Sequence, residues 1–320
     1  MSQHFLLSAG ARTLTLSKVM RMSDDDAFAA FKAIRYAETD GEPVCPKCGC
    51  VAAYEIRTRK IFKCKACLAQ FSVTSGTIFA SRKLAVRDIL AAIAIFVNGA
   101  KGYSALQLSR DLGVQYKTAF VMLHKLREAL GSAHRVAQLS GDVEIDGAYF
   151  GGYVKPANRK EDRIDRRLAE NRTGKRQVVV VIREKTGRSL PFVARSESAA
   201  VAAIAAHVAP GSIVHADEAA SWDALYQSFD IRRVNHSECY SDGIACTNMA
   251  ESFFSRIRRA EIGTHHHIAG PYLHAYADEM AWREDNRRRS NGELYLMTVG
   301  ASLHHPVSRQ WKGYWQRAAA

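Results

Sequence analysis

The chain has 320 residues, 47% of them hydrophobic and 24% charged, which is enough for about two folded units with cores that need no disulfide support. These proportions exclude a stapled mini-protein and a chain that is disordered or of low complexity throughout. Forty-five Lys and Arg against 32 Asp and Glu leave a net charge of +13, a field that attracts polyanions, with nucleic acid the commonest large one.

The opening MSQHFLLSAGARTLTLSKVM has no basic start and no sustained apolar core, so no secretory signal is expected and the cytoplasm is the expected location. Ser23 followed by Asp24, Asp25 and Asp26 puts a capping hydroxyl and acids at the positive end of a helix that continues through Phe28, Phe31 and Ile34. Residues 1–40 form an N-terminal helical segment in this reading.

Residues 41–80 contain the strongest local motif. Cys45-Pro-Lys-Cys48 and Cys64-Lys-Ala-Cys67 are two CxxC knuckles with fifteen residues between them. Each knuckle turns two thiolates toward one point, and a short hairpin joining them completes a closed tetrahedral sulfur site. A structural Zn²⁺ is expected there, holding together a segment too small for a core of its own. Seven cysteines are an odd number, which suits a metal in a reducing compartment better than a disulfide framework. Cys50, Cys239 and Cys246 are read as spectators.

Residues 81–138 read as helices. The longest apolar run, Ile89–Val97, has nine residues, against about 20 for a bilayer span, so Leu84–Asn98 is expected to be a buried helix. Ser104 and Gln107 suggest a capping box, Gly113 permits a turn, and a further helix starts at Gln115, carrying Ala119, Met122, Leu123, Leu126 and Leu130 at helical spacing. This is a helix-turn-helix pattern. It places Gln115, Tyr116, Lys117 and Thr118 where side chains reach base edges, and it offers Lys125 and Arg127 to phosphates. A plain three-helix packing module has the same pattern.

From 139 to 290 the texture changes. Strands are expected at 143–150, 177–183, 190–194, 212–216 and 231–235, with helices at 199–208, between the last two strands, and from about Thr247. That order is the order of an RNase H-like sheet, so the fold class is α/β: an RNase H-like mixed sheet preceded by a zinc ribbon and a helix-turn-helix region. Asp146 lies on the first strand, Asp217 ends the fourth, and Glu251 is in the first turn of the helix after the fifth. These three places converge at one sheet edge in such a fold. Separated carboxylates can hold two Mg²⁺ or Mn²⁺ ions for in-line displacement at phosphorus. Taken singly, each acid has a bland explanation as a turn, loop or helix-start residue. Their joint placement is what argues for chemistry.

Several segments carry a family resemblance. Ile145-Asp146-Gly147-Ala148-Tyr149-Phe150-Gly151-Gly152, His215-Ala216-Asp217-Glu218, Val234-Asn235-His236-Ser237 and Thr247-Asn248-Met249-Ala250-Glu251-Ser252-Phe253-Phe254 resemble ISXO-type insertion-sequence transposases, as do Gly263–Ile268 and Tyr276–Arg283. The likeness runs from about Ala27 to Arg289 and implies a DDE-type DNA transposase. The resemblance makes Asp146 and Asp217 the first two metal-binding acids and leaves the third between Asn248 and Glu251, one helical turn apart. Glu251 is favoured because a carboxylate neutralises Mg²⁺ and an amide does not. It also makes Arg258 a phosphate contact and His236 an active-site support. The chain departs from the family pattern at Trp222, where tyrosine is common, and at Arg256, Arg258 and Arg259, where lysine is usual.

An insertion at 153–176 is rich in Lys and Arg. Lys155, Arg159, Lys160, Arg166 and Arg167 are expected to grip the backbone of the transposon end or of the target. Residues 291–320 read as a tail. The expected partners are DNA, both element ends and target, and further copies of the chain in a homodimer or larger assembly. A zinc-ribbon regulator without catalysis and a nuclease without end specificity are the competing functions.

Overall fold

The computed structural model describes residues 5–134, 138–151, 159–164, 176–185, 187–234 and 247–317. The chain divides into two compact units, Met1–Ala133 with Asn286–Ala320, and His134–Asp285. Among the described residues no helix is long and apolar enough to cross a membrane.

The first unit begins with α1 (Leu16–Met20) and α2 (Asp24–Arg35), whose cap is the expected one: Ser23 accepts from the Asp26 N–H, and the Asp26 carboxylate accepts from the Ser23 N–H. The ribbon strands β1 (Ala53–Ile56), β2 (Ile61–Cys64) and β3 (Gln70–Ser72) form an antiparallel sheet. Three strands this short cannot bury a core by themselves. Phe62 accordingly stacks on Phe28 of α2, meets Tyr36 edge-on and touches Phe71, while Arg35 donates to the carbonyls of Val73 and Ser75.

The apolar run becomes α3 (Val86–Asn98), buried on all sides from Ile89 to Val97, as a helix without a polar face must be. Next come α4 (Ala105–Asp111), capped by Ser104, and α5 (Tyr116–His134), with Gly113 at φ +63° in the turn between them. The helix-turn-helix elements therefore stand where the sequence places them.

The second unit contains β4 (Asp142–Phe150), β5 (Gln177–Glu184), β6 (Ser189–Ala194), α6 (Val201–His207), β7 (Ile213–Asp217), β8 (Asp230–Val234), α7 (Asn248–Ala260) and α8 (Leu273–Asp285). Its sheet order is β6-β5-β4-β7-β8, with β4, β5 and β6 antiparallel and β4, β7 and β8 parallel. One face packs Val143, Ile145, Val178 and Val180 with Ile204 and Trp222, and the other packs Ala148, Phe150, Val179 and Val181 with Phe253, Phe254 and Ile257. Both faces of β5 are covered, which explains four consecutive valines in a strand that shows no apolar-polar alternation. Between β7 and β8 the expected helix is a run of 3₁₀ turns, Ala220–Gln227.

Residues 291–320, read as a tail, hold α9 (Asn291–His304) and α10 (Tyr314–Arg317) and belong to the first unit. Asn291 accepts from the Thr13 and Leu14 N–H groups, and α9 packs against α2 and α3. Trp311 stacks on His124 of α5.

Candidate active site

The parallel pairing of β4 with β7 sets Val143 beside Val214 and Glu144 beside His215. Asp146 and Asp217 each lie two residues beyond the last of these pairs, and the charge of Asp217 is felt at Asp146. Strand alternation puts Glu144, Asp146 and Ala148 on the face that α7 covers, while Val143 and Ile145 face α6.

Glu144 determines where α7 begins. Its carboxylate, in a residue 2% exposed, accepts from the N–H groups of Met249 at 2.8 Å and Ala250 at 2.9 Å. Thr247, the residue before the helix, supplies no side-chain cap, so a strand residue does the work of an N-cap. Arg183, paired with Glu144 across β4 and β5, donates to the Met249 carbonyl at 2.9 Å and to Glu284 at 2.8 Å. Glu284 also pairs with Arg256 at 2.5 Å. These contacts tie the first turn of α7 to the strand that bears Asp146, and Glu251 is carried in that turn.

A cleft of about 530 Å³ opens here, lined by Asp146, Gly147, Glu251, Ser255, Arg258 and Arg259 among others. Burial pushes the Asp146 carboxyl up to about 7, against the pull of the Gly147 N–H, and the negative charges of Asp217, Glu251 and Glu197 push it further. One Asp217 oxygen is held by the Trp222 indole N–H at 2.7 Å and the Ala219 N–H at 3.2 Å. Trp222 is fully buried, so the departure from tyrosine leaves a donor pointed at the acid. Arg258 and Arg259 are exposed at the cleft. Asn248 is exposed on the first turn of α7 and is not among the lining residues, whereas Glu251 is.

The acids form an open arrangement. Among the described residues, only Cys45, Cys48, Cys64 and Cys67 bring three or more metal-ligating atoms within 4.8 Å of one another. Asp146, Asp217 and Glu251 are hard oxygen donors, the type that would hold divalent cations and supply Lewis-acid chemistry at a phosphate. The thiols are closed: Cys45 and Cys67 stand 3.6 Å apart, as do Cys48 and Cys64. A tetrahedron of sulfurs about 2.3 Å from zinc has edges of about 3.8 Å. The Cys67 N–H helps hold the Cys64 thiol down at about 6, the ionised form that a metal takes. Cys50 stays outside this cluster.

On α5, Gln115, Tyr116 and Lys117 are exposed and Thr118 half-buried, at the turn and the start of the helix. Lys117 also lies 5.0 Å over the Trp315 ring. One expectation needs correction, that for Arg127. Arg127 is 1% exposed, and Lys125 is half-buried, with desolvation lowering its pKa. Arg127 stands four residues after Leu123 and three before Leu130, in the core-facing stripe, so its side chain is not presented to a phosphate backbone. Of the basic insertion, Arg159 and Lys160 are exposed, while Lys155, Arg166 and Arg167 lie outside the described residues, as does His236. Glu144 and Glu197 escaped the sequence reading. Alternation along β4 could have flagged Glu144, an acid two residues from Asp146 on the same strand face, but nothing local flags Glu197.

Comparison with known proteins bears on this arrangement. Residues 138–285 match the ISXO2-like transposase domain, and residues 22–70 match the transposase zinc-ribbon domain. The chain therefore carries an ISXO2-like transposase domain preceded by a transposase zinc ribbon. The first match covers the five-stranded sheet with α6, α7 and α8, and the second takes in α2 with the knuckles, the same elements that share the Phe62 core. The chain is 26% identical, over 72% of its length and 83% of the relative's, to an uncharacterized protein in transposable element ISH50 of Halobacterium salinarum. A chain from the crystal structure of the Mos1 strand transfer complex is 14% identical, covers 66% of this chain and 78% of its own, and has a TM-score of 0.25.

Proposed function

We propose that this insertion-sequence transposase binds the terminal inverted repeats of its element and performs divalent-cation-dependent strand cleavage and strand transfer at Asp146, Asp217 and Glu251. The observation that supports this reading is the register of β4 and β7, which pairs Glu144 with His215 two residues before Asp146 and Asp217, together with the Glu144 cap on the first turn of α7, where Glu251 lies. Bound to these carboxylates, Mg²⁺ or Mn²⁺ supplies Lewis-acid stabilisation of the phosphate oxygens and a lowered pKa for the attacking water or 3′-hydroxyl.

The chain's own residues supply the rest. Trp222 fixes one oxygen of Asp217 and so leaves the other for a ligand. Burial raises the Asp146 carboxyl toward neutrality, so holding a divalent cation there would require its ionised form. Arg258 and Arg259 offer exposed guanidinium groups at the cleft for DNA phosphates, and Glu251 rather than Asn248 serves as the third acid. In the other unit, the four thiols hold a structural Zn²⁺, and Gln115, Tyr116, Lys117 and Thr118 read bases. The insertion, with Lys155, Arg159, Lys160, Arg166 and Arg167, grips the DNA backbone, and His236 supports the site. Two element ends are handled together, so the working form is a homodimer or larger assembly on DNA.

A supercoiled donor plasmid carrying the native ends tests the reading. Nicking at the element ends with Mg²⁺ that vanishes in Asp146→Ala is the expected result. Tight binding with no cleavage under any divalent cation points to a regulator instead, and cutting without regard to the ends points to a general nuclease.

A further inference from the structure

Glu197 follows β6 in the stretch Ser196-Glu197-Ser198 and stands at the start of the 3₁₀ turn Ser198–Ala200 that leads into α6. A residue in that position ordinarily caps the turn, but the Glu197 side chain makes no capping hydrogen bond. It lies instead over the backbone of Gly147, so close that a Cβ there would come within 2.7 Å of its Cγ and 2.7 Å of its Oε1. Gly147 thus leaves open the space that the Glu197 carboxylate occupies, and a Cβ there would push this flexible side chain aside. It immediately follows Asp146, and strand alternation gives it to the α6 side of β4, opposite the face covered by α7. Ser221, four residues beyond Asp217, hydrogen-bonds the Glu197 carboxylate and steers it toward the end of β7. Its negative charge is felt at Asp146, and it feels that of Asp217. Placing another carboxylate beside two acids costs stability unless a cation offsets the repulsion.

We infer that Glu197 is a fourth carboxylate of the cation centre, reaching the ions from the α6 side of the sheet while Glu251 reaches them from the α7 side. This rests on the reading of Asp146, Asp217 and Glu251 as cation ligands. It also gives Gly147 a purpose: the glycine admits Glu197 to the centre.

The test is a Mn²⁺ titration of the full-length, zinc-loaded protein without DNA, followed by the electron paramagnetic resonance of free Mn²⁺, on the parent, Glu197→Gln, Gly147→Ala and Asp146→Asn. Glu197→Gln keeps shape and removes charge, and Gly147→Ala displaces the carboxylate while leaving its charge. Each is expected to weaken Mn²⁺ binding on the order of tenfold or more, the scale seen when a partner in a metal site is removed. The metal-free melting temperature of Glu197→Gln is expected to stay level or rise. Parental Mn²⁺ affinity in Glu197→Gln, with binding lost in Asp146→Asn, overturns the inference and leaves the catalytic reading standing. Parental affinity in both variants overturns the two together. A lowered metal-free melting temperature with unchanged Mn²⁺ affinity makes Glu197 a structural contact and overturns the inference. If Gly147→Ala does not fold, Glu197→Gln decides alone.

Discussion

The thiol cluster and the carboxylate cluster are built in opposite ways. Cys45, Cys48, Cys64 and Cys67 come from one stretch of 23 residues, and their sulfurs already lie at the spacing of a filled tetrahedron. Asp146, Asp217 and Glu251 are spread over more than a hundred residues, and any site they share depends on β4, β7 and α7 all being in place. A closed local site contributes to folding and leaves no position for substrate, whereas an open distributed site leaves room for a phosphate and depends on the fold around it. Removing a ligand should therefore unfold one region and silence the other.

The largest effect is expected at the carboxylates. Asp146→Asn should lower Mg²⁺-dependent end cleavage by a thousandfold or more, since cation stabilisation of the transition state is worth several kcal/mol and each factor of ten is about 1.4 kcal/mol. Circular dichroism should show its fold intact. Cys64→Ser should do the reverse: the ribbon melts, zinc content falls, and end binding in a gel-shift assay is lost, while the sheet domain keeps its own thermal transition.

A smaller effect is expected where the two clusters' logic mixes, at Glu144. Glu144→Ala strips the cap from two α7 N–H groups, a loss of about 1–3 kcal/mol for buried donors left unsatisfied. Turnover should fall more than DNA affinity does, because Glu251 loses its fixed position while Arg258 and the reading helix are untouched. Equal losses in both would mean that the cap serves stability alone.

The pH dependence sharpens the contrast further. The folded-state pKa of Asp146 is raised to about 7 from an ordinary value of 3.8, so the folded protein binds the proton more tightly than the unfolded chain does. Without divalent cation, stability should fall as pH rises from about 4 through 7, and Asp146→Asn should flatten that fall. Cation binding should weaken as pH drops below about 7, because the ion then displaces a proton. Melting curves at several pH values, with and without Mn²⁺, check both signs. Smallest of all, Arg258→Ala should reduce the slope of log affinity against log salt by about one, while Arg127→Ala should leave that slope alone and lower the melting temperature.

How much was legible in the sequence follows the same division. The CxxC knuckles, the Ser23 and Ser104 caps, the buried helix at Ile89–Val97 and the five strands of the sheet could be read because each is set by neighbours within a few residues. The placement of Asp146, Asp217 and Glu251 needed one further step, from element order to sheet order. The roles of Glu144 and Glu197 could not be read because their partners, Met249 and Ala250 in one case and Gly147 and Ser221 in the other, are far away in the chain, although alternation along β4 marks Glu144 as sharing the face of Asp146. Arg127 was misjudged for a different reason. Its charge was weighed and its helical position was not, although Leu123 and Leu130 place it on the stripe that faces the core. The segment Ala220–Gln227, expected as a helix, is a run of 3₁₀ turns, with the Trp222 indole N–H donating to Asp217 five residues earlier.

Anomalous scattering from a crystal of the full chain grown with Mn²⁺ and a cleaved element end tests the central claim most directly. Peaks within coordination distance of Asp146 and Asp217, with Glu251 on the same ions and phosphate oxygens completing the shell, are the predicted result. Ions bound elsewhere, or none while the DNA end lies away from these three acids, would contradict it.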